Sequence, residues 1–89
     1  MASIRYELDS IAFPKKPLRI LLEFSDETGD DEVIALIPQS GFFATGQTPE
    51  QAKGNLLRSM EEDDSRLRNQ SGVLGQKLLS KLELLEQLF

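Results

Sequence analysis

Glu61-Glu62-Asp63-Asp64 is the densest group of chemically capable side chains in this sequence, with four carboxylates in one helical turn. Paired carboxylates can divide acid and base duties when their surroundings drive their pKa values apart. Consecutive helical residues point in different directions, however, and no apolar neighbours in the sequence would enclose these four. They read as a solvated acidic face placed to pair with Arg58, Arg66 or Arg68 at helical spacings. If the cluster serves a function, docking a basic partner suits it better than catalysis. A second acidic group, Asp26, Glu27, Asp30, Asp31 and Glu32, offers oxygen ligands of the kind a hard cation takes. It lacks the spacing of an EF-hand and reads as a solvated hairpin loop.

The chain has no Cys and no His. Thiolate nucleophiles, disulfides, imidazole bases and structural zinc sites are thereby excluded. Ser40, Thr48, Ser59, Ser65 and Ser71 supply hydroxyls without a histidine to activate them, and no spacing suggests a lysine base. Gly41 and Gly46 enclose Phe42-Phe43 and do not form a phosphate-binding pattern, so turn geometry is the expected use of both. Phe42 and Phe43 read as core rather than as a platform for bases. No catalytic residue, cofactor or metal is expected.

At 89 residues the chain has room for one domain, and a second subunit would be a natural way to enlarge so small a core. The formal charge of −5 argues against nucleic acid, because phosphate contacts need a basic stripe and Lys15-Lys16 is the only adjacent basic pair. An acidic domain is better suited to a basic protein partner. The first residues show no signal-peptide pattern, and no apolar run approaches the ~20 residues that span a bilayer. A cytoplasmic protein is the expectation.

The elements that would carry these residues follow from periodicity. Ile4, Tyr6 and Leu8 alternate with Arg5, Glu7 and Asp9, the period of a half-buried strand. The alternation slips near Ser10, after which Ile11 and Phe13 are apolar, suggesting a bulge or a strand end. Pro14 and Pro17 then break the ladder. Leu18, Ile20, Leu22 and Phe24 form a second alternating set, with Leu21 apolar on the other side. Val33-Ile34-Ala35-Leu36-Ile37 is apolar throughout and reads as a central, fully buried strand. Gly29 is available for a turn between these two runs, and a short strand from Phe42 to Thr45 follows the turn Pro38-Gln39-Ser40-Gly41.

Thr48 then caps a helix, with Pro49 at its first position and Gln51 completing a capping box. Gly46 would let the chain turn sharply out of the strand. Ala52, Leu56, Ser59 and Met60 share one face of this helix, and Asp63 falls on the same stripe. The helix is therefore expected to run past the sheet edge or to bend. Asn69-Gln70-Ser71-Gly72 reads as its stop. A last helix from Val73 to Leu88 carries Leu74, Leu78, Leu82, Leu85 and Phe89 on one stripe, with Val73, Leu79 and Leu84 off it. Leucines all round imply a helix sandwiched inside the subunit or one that also meets a second chain. A homodimer or higher homo-oligomer is expected, formed through the sheet edge or through this helix, with Leu74, Leu78, Leu79, Leu82, Leu85 and Phe89 as the candidate contact.

Gly41, Gly46, Thr48, Glu50, Ala52 and Asn55 together make a Gly-x4-Gly-x-Thr-x-Glu-x-Ala-x-x-Asn pattern. With Leu18–Phe24 and Val33–Pro38 as the preceding strands, residues 18–68 resemble the HicB family of small antitoxin-like domains. The resemblance implies an α+β fold related to part of ribonuclease H, without that enzyme's carboxylate set. It also implies a non-enzymatic protein-binding role, oligomers, and a small basic messenger-RNA-cleaving toxin as partner. The alternative is an orphan structural or regulatory module of the same fold. The chain departs from the family in its shorter Pro38–Gly41 turn, in Phe42 after the glycine, and in residues 73–89, which replace the usual DNA-binding extension. The expected architecture is α+β: a small antiparallel or mixed sheet of three to four strands, a capped helix on one face and a leucine-rich C-terminal helix. Residues 1–17 would add an N-terminal strand.

Overall fold

The computed structural model describes residues 4–25, 32–69 and 75–89. Four strands, β1 (Ile4–Ala12), β2 (Pro17–Ser25), β3 (Glu32–Leu36) and β4 (Phe43–Gly46), precede two helices, α1 (Pro49–Asn69) and α2 (Gln76–Leu88). The strands form one antiparallel sheet in the order β1-β2-β3-β4. The α+β expectation stands, with the sheet fully antiparallel.

Both helices lie on the same face of the sheet. Ile20 and Leu22 of β2, Val33 and Ala35 of β3, and Ile11 of β1 point into it and are buried. Ala52, Leu56 and Met60 of α1 meet them with no exposed surface. Full burial of side chains the size of Leu56 and Met60 contributes roughly 1.5–3 kcal/mol each. Ser59, expected on this stripe, is exposed. Asp63 is half-buried beside the stripe, but α1 does not leave the core there: Leu67, one turn on, is buried again.

The slip in the β1 alternation is not a bulge. Pairing with β2 runs unbroken from Ile4↔Ser25 to Ala12↔Pro17. What changes is the face that carries the apolar residues. Ile11 points toward the helices, whereas Ile4, Tyr6 and Leu8 point to the opposite face and are exposed. The half-buried strand expected from their alternation is therefore not realised. Arg5, Glu7 and Asp9 occupy the helix side instead, and the Arg5 guanidinium lies over the Phe24 ring, 4.6 Å from its centre.

The Pro14–Pro17 break is a hairpin turn that caps α2. The Lys15 amide donates to the Leu88 carbonyl at 3.0 Å, and its ammonium donates to the Glu86 carbonyl at 2.8 Å. Both acceptors belong to the last helical turn, whose carbonyls lack partners within the helix. Lys15 also brings positive charge to the negative end of the helix dipole. Phe13 and Phe89 close the joint edge to face, with ring centres 5.6 Å apart. The one basic pair in the sequence thus fastens the hairpin to the helix.

α2 begins at Gln76 rather than Val73, because Gly75 is extended at φ −72° and ψ 170° and serves as its N-cap. Val73 and Leu74 lie outside the described residues. So do Gly29, the loop carboxylates Asp26, Glu27, Asp30 and Asp31, and the helix stop at Gln70-Ser71-Gly72.

Candidate interaction surface

The motif residues build the joint between sheet and helix. The Gln51 amide donates to Thr48 Oγ1 at 3.1 Å, as an N-cap requires. The return half of the capping box differs from the expected one. Gln51 Oε1 accepts from the Gln47 amide at 3.0 Å, one residue before the cap. Asn55 Nδ2 donates to the Thr45 carbonyl at 2.8 Å and so ties α1 to β4. Ala52 is fully buried, and Glu50 is exposed in the first turn, where a carboxylate suits the helix dipole.

The two glycines have different reasons to be glycine. Gly41 sits at φ +80°, a backbone conformation other residues rarely adopt. Gly46 has an ordinary backbone but touches the start of α1, where a β carbon would lie 2.6 Å from the Ala52 nitrogen. Its role is close approach, not the sharp turn inferred from sequence.

The acidic run on α1 is a surface feature. Asp63 pairs with Arg66 at 2.9 Å and Asp64 with Arg68 at 2.8 Å, while Glu61 and Glu62 are exposed. The Asp64 carboxylate beside Arg68 holds that guanidinium's pKa above its usual value. Among the described residues no three His, Cys, Asp or Glu side chains converge as a metal site would need. The Ser40 hydroxyl is committed to its turn, donating to the Ile37 carbonyl at 2.6 Å and accepting from the Phe42 amide at 3.0 Å.

A cleft of about 670 Å³ opens between this turn and α2, with Leu18, Ile37, Pro38, Ser40, Lys81 and Leu84 among its walls. The Lys81 ammonium stands 5.1 Å from the centre of the Phe42 ring. The walls combine one ammonium with hydroxyl and aliphatic groups, and no carboxylate stands among the described lining residues to serve as acid or base.

The leucine stripe of α2 turns inward. Leu82 and Leu85 are buried in the core, as is Leu88, which sequence periodicity left off the stripe. Phe89 is half-buried against Phe13. Leu79 is exposed, Leu74 lies outside the described residues, and so does the Leu78 side chain. As a surface for a second chain, the expected set is corrected: Leu82 and Leu85 already serve the subunit's own core. One layer of helix over the Ile11–Leu18 end of the sheet is enough to bury them.

Among the described residues, every exposed large hydrophobic except Leu79 lies on the other face of the sheet. Leu8, Leu21, Leu36 and Phe43 are successive cross-strand partners and form one row across all four strands. A second row holds Tyr6, Glu23, Ile34 and Thr45, and Ile4 follows beyond Tyr6. No described element covers this face. Leu8 is 73% exposed, Phe43 65%, Tyr6 56% and Ile4 50%. The all-apolar run Val33–Ile37 was expected to be buried throughout, but only Val33, Ala35 and Ile37 are; Ile34 and Leu36 are partly open. Phe42 is core as expected, whereas Phe43 is surface. Sequence reasoning missed this face, although apolar residues on both sides of β2 and β3, with helices enough for one side, were the signal.

Among the described residues no helix is long and apolar enough to cross a membrane. No family model, no curated protein and no solved structure matches the chain.

Proposed function

We propose that this chain is a non-catalytic protein-binding domain of HicB-like kind, and that it binds through the uncovered face of its sheet. The observation that carries this reading is the uncovered row Leu8–Leu21–Leu36–Phe43, exposed at Leu8 and Phe43 and partly open between them, together with exposed Tyr6 and Ile4 and partly open Ile34. With aromatic side chains presenting up to 150–250 Å² each, the patch is on the order of 500 Å² or more. Contiguous apolar surface of that size on a monomer commonly marks an interaction site.

The chemistry of the face selects a protein as the occupant. It is broad and, among the described residues, bears two carboxylates, Glu23 and Glu32, against one cation, Arg19, so polyanions gain little there. Aromatic and aliphatic side chains with a thin charged margin are what the centre of a protein interface presents. The HicB resemblance would make the partner a small basic toxin, and the net charge of −5 would steer such a protein inward. A second reading, an oligomerisation module without a toxin, is favoured by the arrangement of charges on the face itself.

The test is recovery of partners by a tagged chain, expressed beside an untagged copy in its own cell, with Phe43→Asp as the comparison. Phe43 is exposed on the edge strand, so the substitution leaves the core intact. The expected result is one stoichiometric protein, the untagged copy or another polypeptide, depleted at least tenfold by the variant. Equal recovery with both chains, or nothing held by either, overturns the reading.

A further inference from the structure

The uncovered face has opposite charges at its two ends. On β2, Arg19 follows Leu21 on one side and Glu23 on the other, all three on the same face. Glu32 of β3, opposite Ser25, adds a second carboxylate at the Glu23 end. The Glu23 carboxylate is half-buried and accepts from the Tyr6 hydroxyl at 3.4 Å, while Arg19 is exposed. The apolar row crosses between these two ends.

We propose that the occupant of this face is a second copy of the chain, packed sheet to sheet about a two-fold axis lying along the row Leu8–Leu21–Leu36–Phe43. The inference rests on the protein-binding reading above and adds the partner and its orientation. Rotation about that axis places each row residue over its own counterpart and reverses every strand. Arg19 then comes opposite Glu23 of the second copy, and Glu23 opposite the second copy's Arg19, so two ion pairs flank the apolar centre. A two-fold axis running along β2 would instead oppose Arg19 to Arg19 and Glu23 to Glu23, and one along the strands at the sheet centre would still gather like charges at the same end, which like-charge repulsion disfavours. The charges therefore select one of two otherwise comparable orientations.

Three further considerations agree. A two-fold interface must be self-complementary, and a patch with one sign at each end is so under this rotation. Two antiparallel sheets stacked with reversed strands can keep their directions within about 30°, as aligned sandwiches do. Each copy would bury on the order of 600 Å², below the ~800 Å² per partner of a standard stable interface. A concentration-dependent dimer is the expected species. The pairing also gives an 89-residue chain a second core layer, made of residues that otherwise face water.

Sedimentation equilibrium on the purified full chain tests this, read with Arg19→Glu, Glu23→Arg, the double variant and an equimolar mixture of the two single variants. The wild type is expected at twice the 10.0 kDa of one chain as concentration rises. Each single variant opposes like charges twice and should raise the dissociation constant at least tenfold. The double variant restores both pairs and should return to within about threefold of wild type, and the mixture should form a heterodimer. Circular dichroism at low concentration establishes that every variant is folded. A wild-type monomer at millimolar concentration overturns the proposal, as does a dimer indifferent to the single changes or one that the double variant fails to restore. In each case the partner-recovery experiment still decides the protein-binding reading separately, because a different polypeptide lost with Phe43→Asp would sustain it.

Discussion

Gly46 and Ala52 meet through their backbones: a β carbon on Gly46 would stand 2.6 Å from the Ala52 nitrogen and 2.8 Å from the Gln51 β carbon. That nitrogen is already engaged, donating to the Thr48 carbonyl at 3.0 Å in the first hydrogen bond of α1. Strand and helix therefore meet with no room for a β carbon at Gly46.

Gly46→Ala should therefore cost about 2–3 kcal/mol, because neither the helix backbone nor β4 can shift without losing pairing. For a domain of this size the melting temperature should fall by more than about 10 °C. Gly54→Ala is the control. A β carbon there meets nothing within 4 Å, and replacing glycine inside an exposed helix should raise stability by ~0.5–1 kcal/mol. Thermal denaturation of the two variants, moving in opposite directions, checks both statements.

Gln39 occupies positive φ, at 65°, after Pro38 in a turn closed by the Ser40 amide donating to the Ile37 carbonyl. This is the pattern of a type II turn, whose third position favours glycine. Gln39→Gly should stabilise the domain by about 0.5–1 kcal/mol, the relief of left-handed strain less the added freedom of the unfolded chain. Gln39→Val, with its branched β carbon, should destabilise by more than about 1 kcal/mol. Denaturant titration of the two variants against wild type measures both, and a loss of stability with glycine would contradict the turn assignment.

Asp9 accepts from the Ser10 amide at 2.7 Å and from the Lys53 ammonium at 3.3 Å, both at Oδ1. The Ser10 amide first, then Lys53, holds the carboxyl below the usual carboxylate range, against a smaller opposing effect of burial. A carboxyl whose folded pKa lies below its unfolded one favours the native state above the ordinary carboxylate range. That contribution fades as pH falls through the folded value. The side chain is 37% exposed, so solvent screens the ion pair and the effect on stability is small. Titration of the Asp9 carboxyl by NMR should show a midpoint below that of a free aspartate. Lys53→Met should move it only part of the way back, since the Ser10 amide remains; complete return would assign the shift to Lys53 alone.

Local structure was legible wherever it depends on near neighbours. Thr48, Pro49 and Gln51 announce the start of α1, because a cap is made by residues within one turn. The alternation of Leu18, Ile20, Leu22 and Phe24 identifies β2, because side chains on a strand change face at every residue. Sequence also gave both glycines of the motif a structural duty. It could not separate Gly41, which needs its φ, from Gly46, which needs the absence of a β carbon beside Ala52.

Which apolar residues become core was settled only by where the helices lie. Ile4 and Leu8 are as apolar as Ile11, yet they and Tyr6 face away from both helices, whereas Ile11 and Phe13 belong to the core that includes Leu82, Leu85 and Leu88 of α2. Leu82, Leu85 and Leu88 turn inward because the Lys15 turn fixes the end of α2 and the Phe13–Phe89 contact closes the joint. Periodicity determines that a segment has an apolar side. A pairing register and two docked helices determine which side meets water, since burial is a property of the surfaces opposite each residue. For this protein the sequence by itself determined the α+β architecture and the capped joint. The tertiary structure alone decided that Ile4, Tyr6, Leu8 and Phe43 meet on the open face of the sheet.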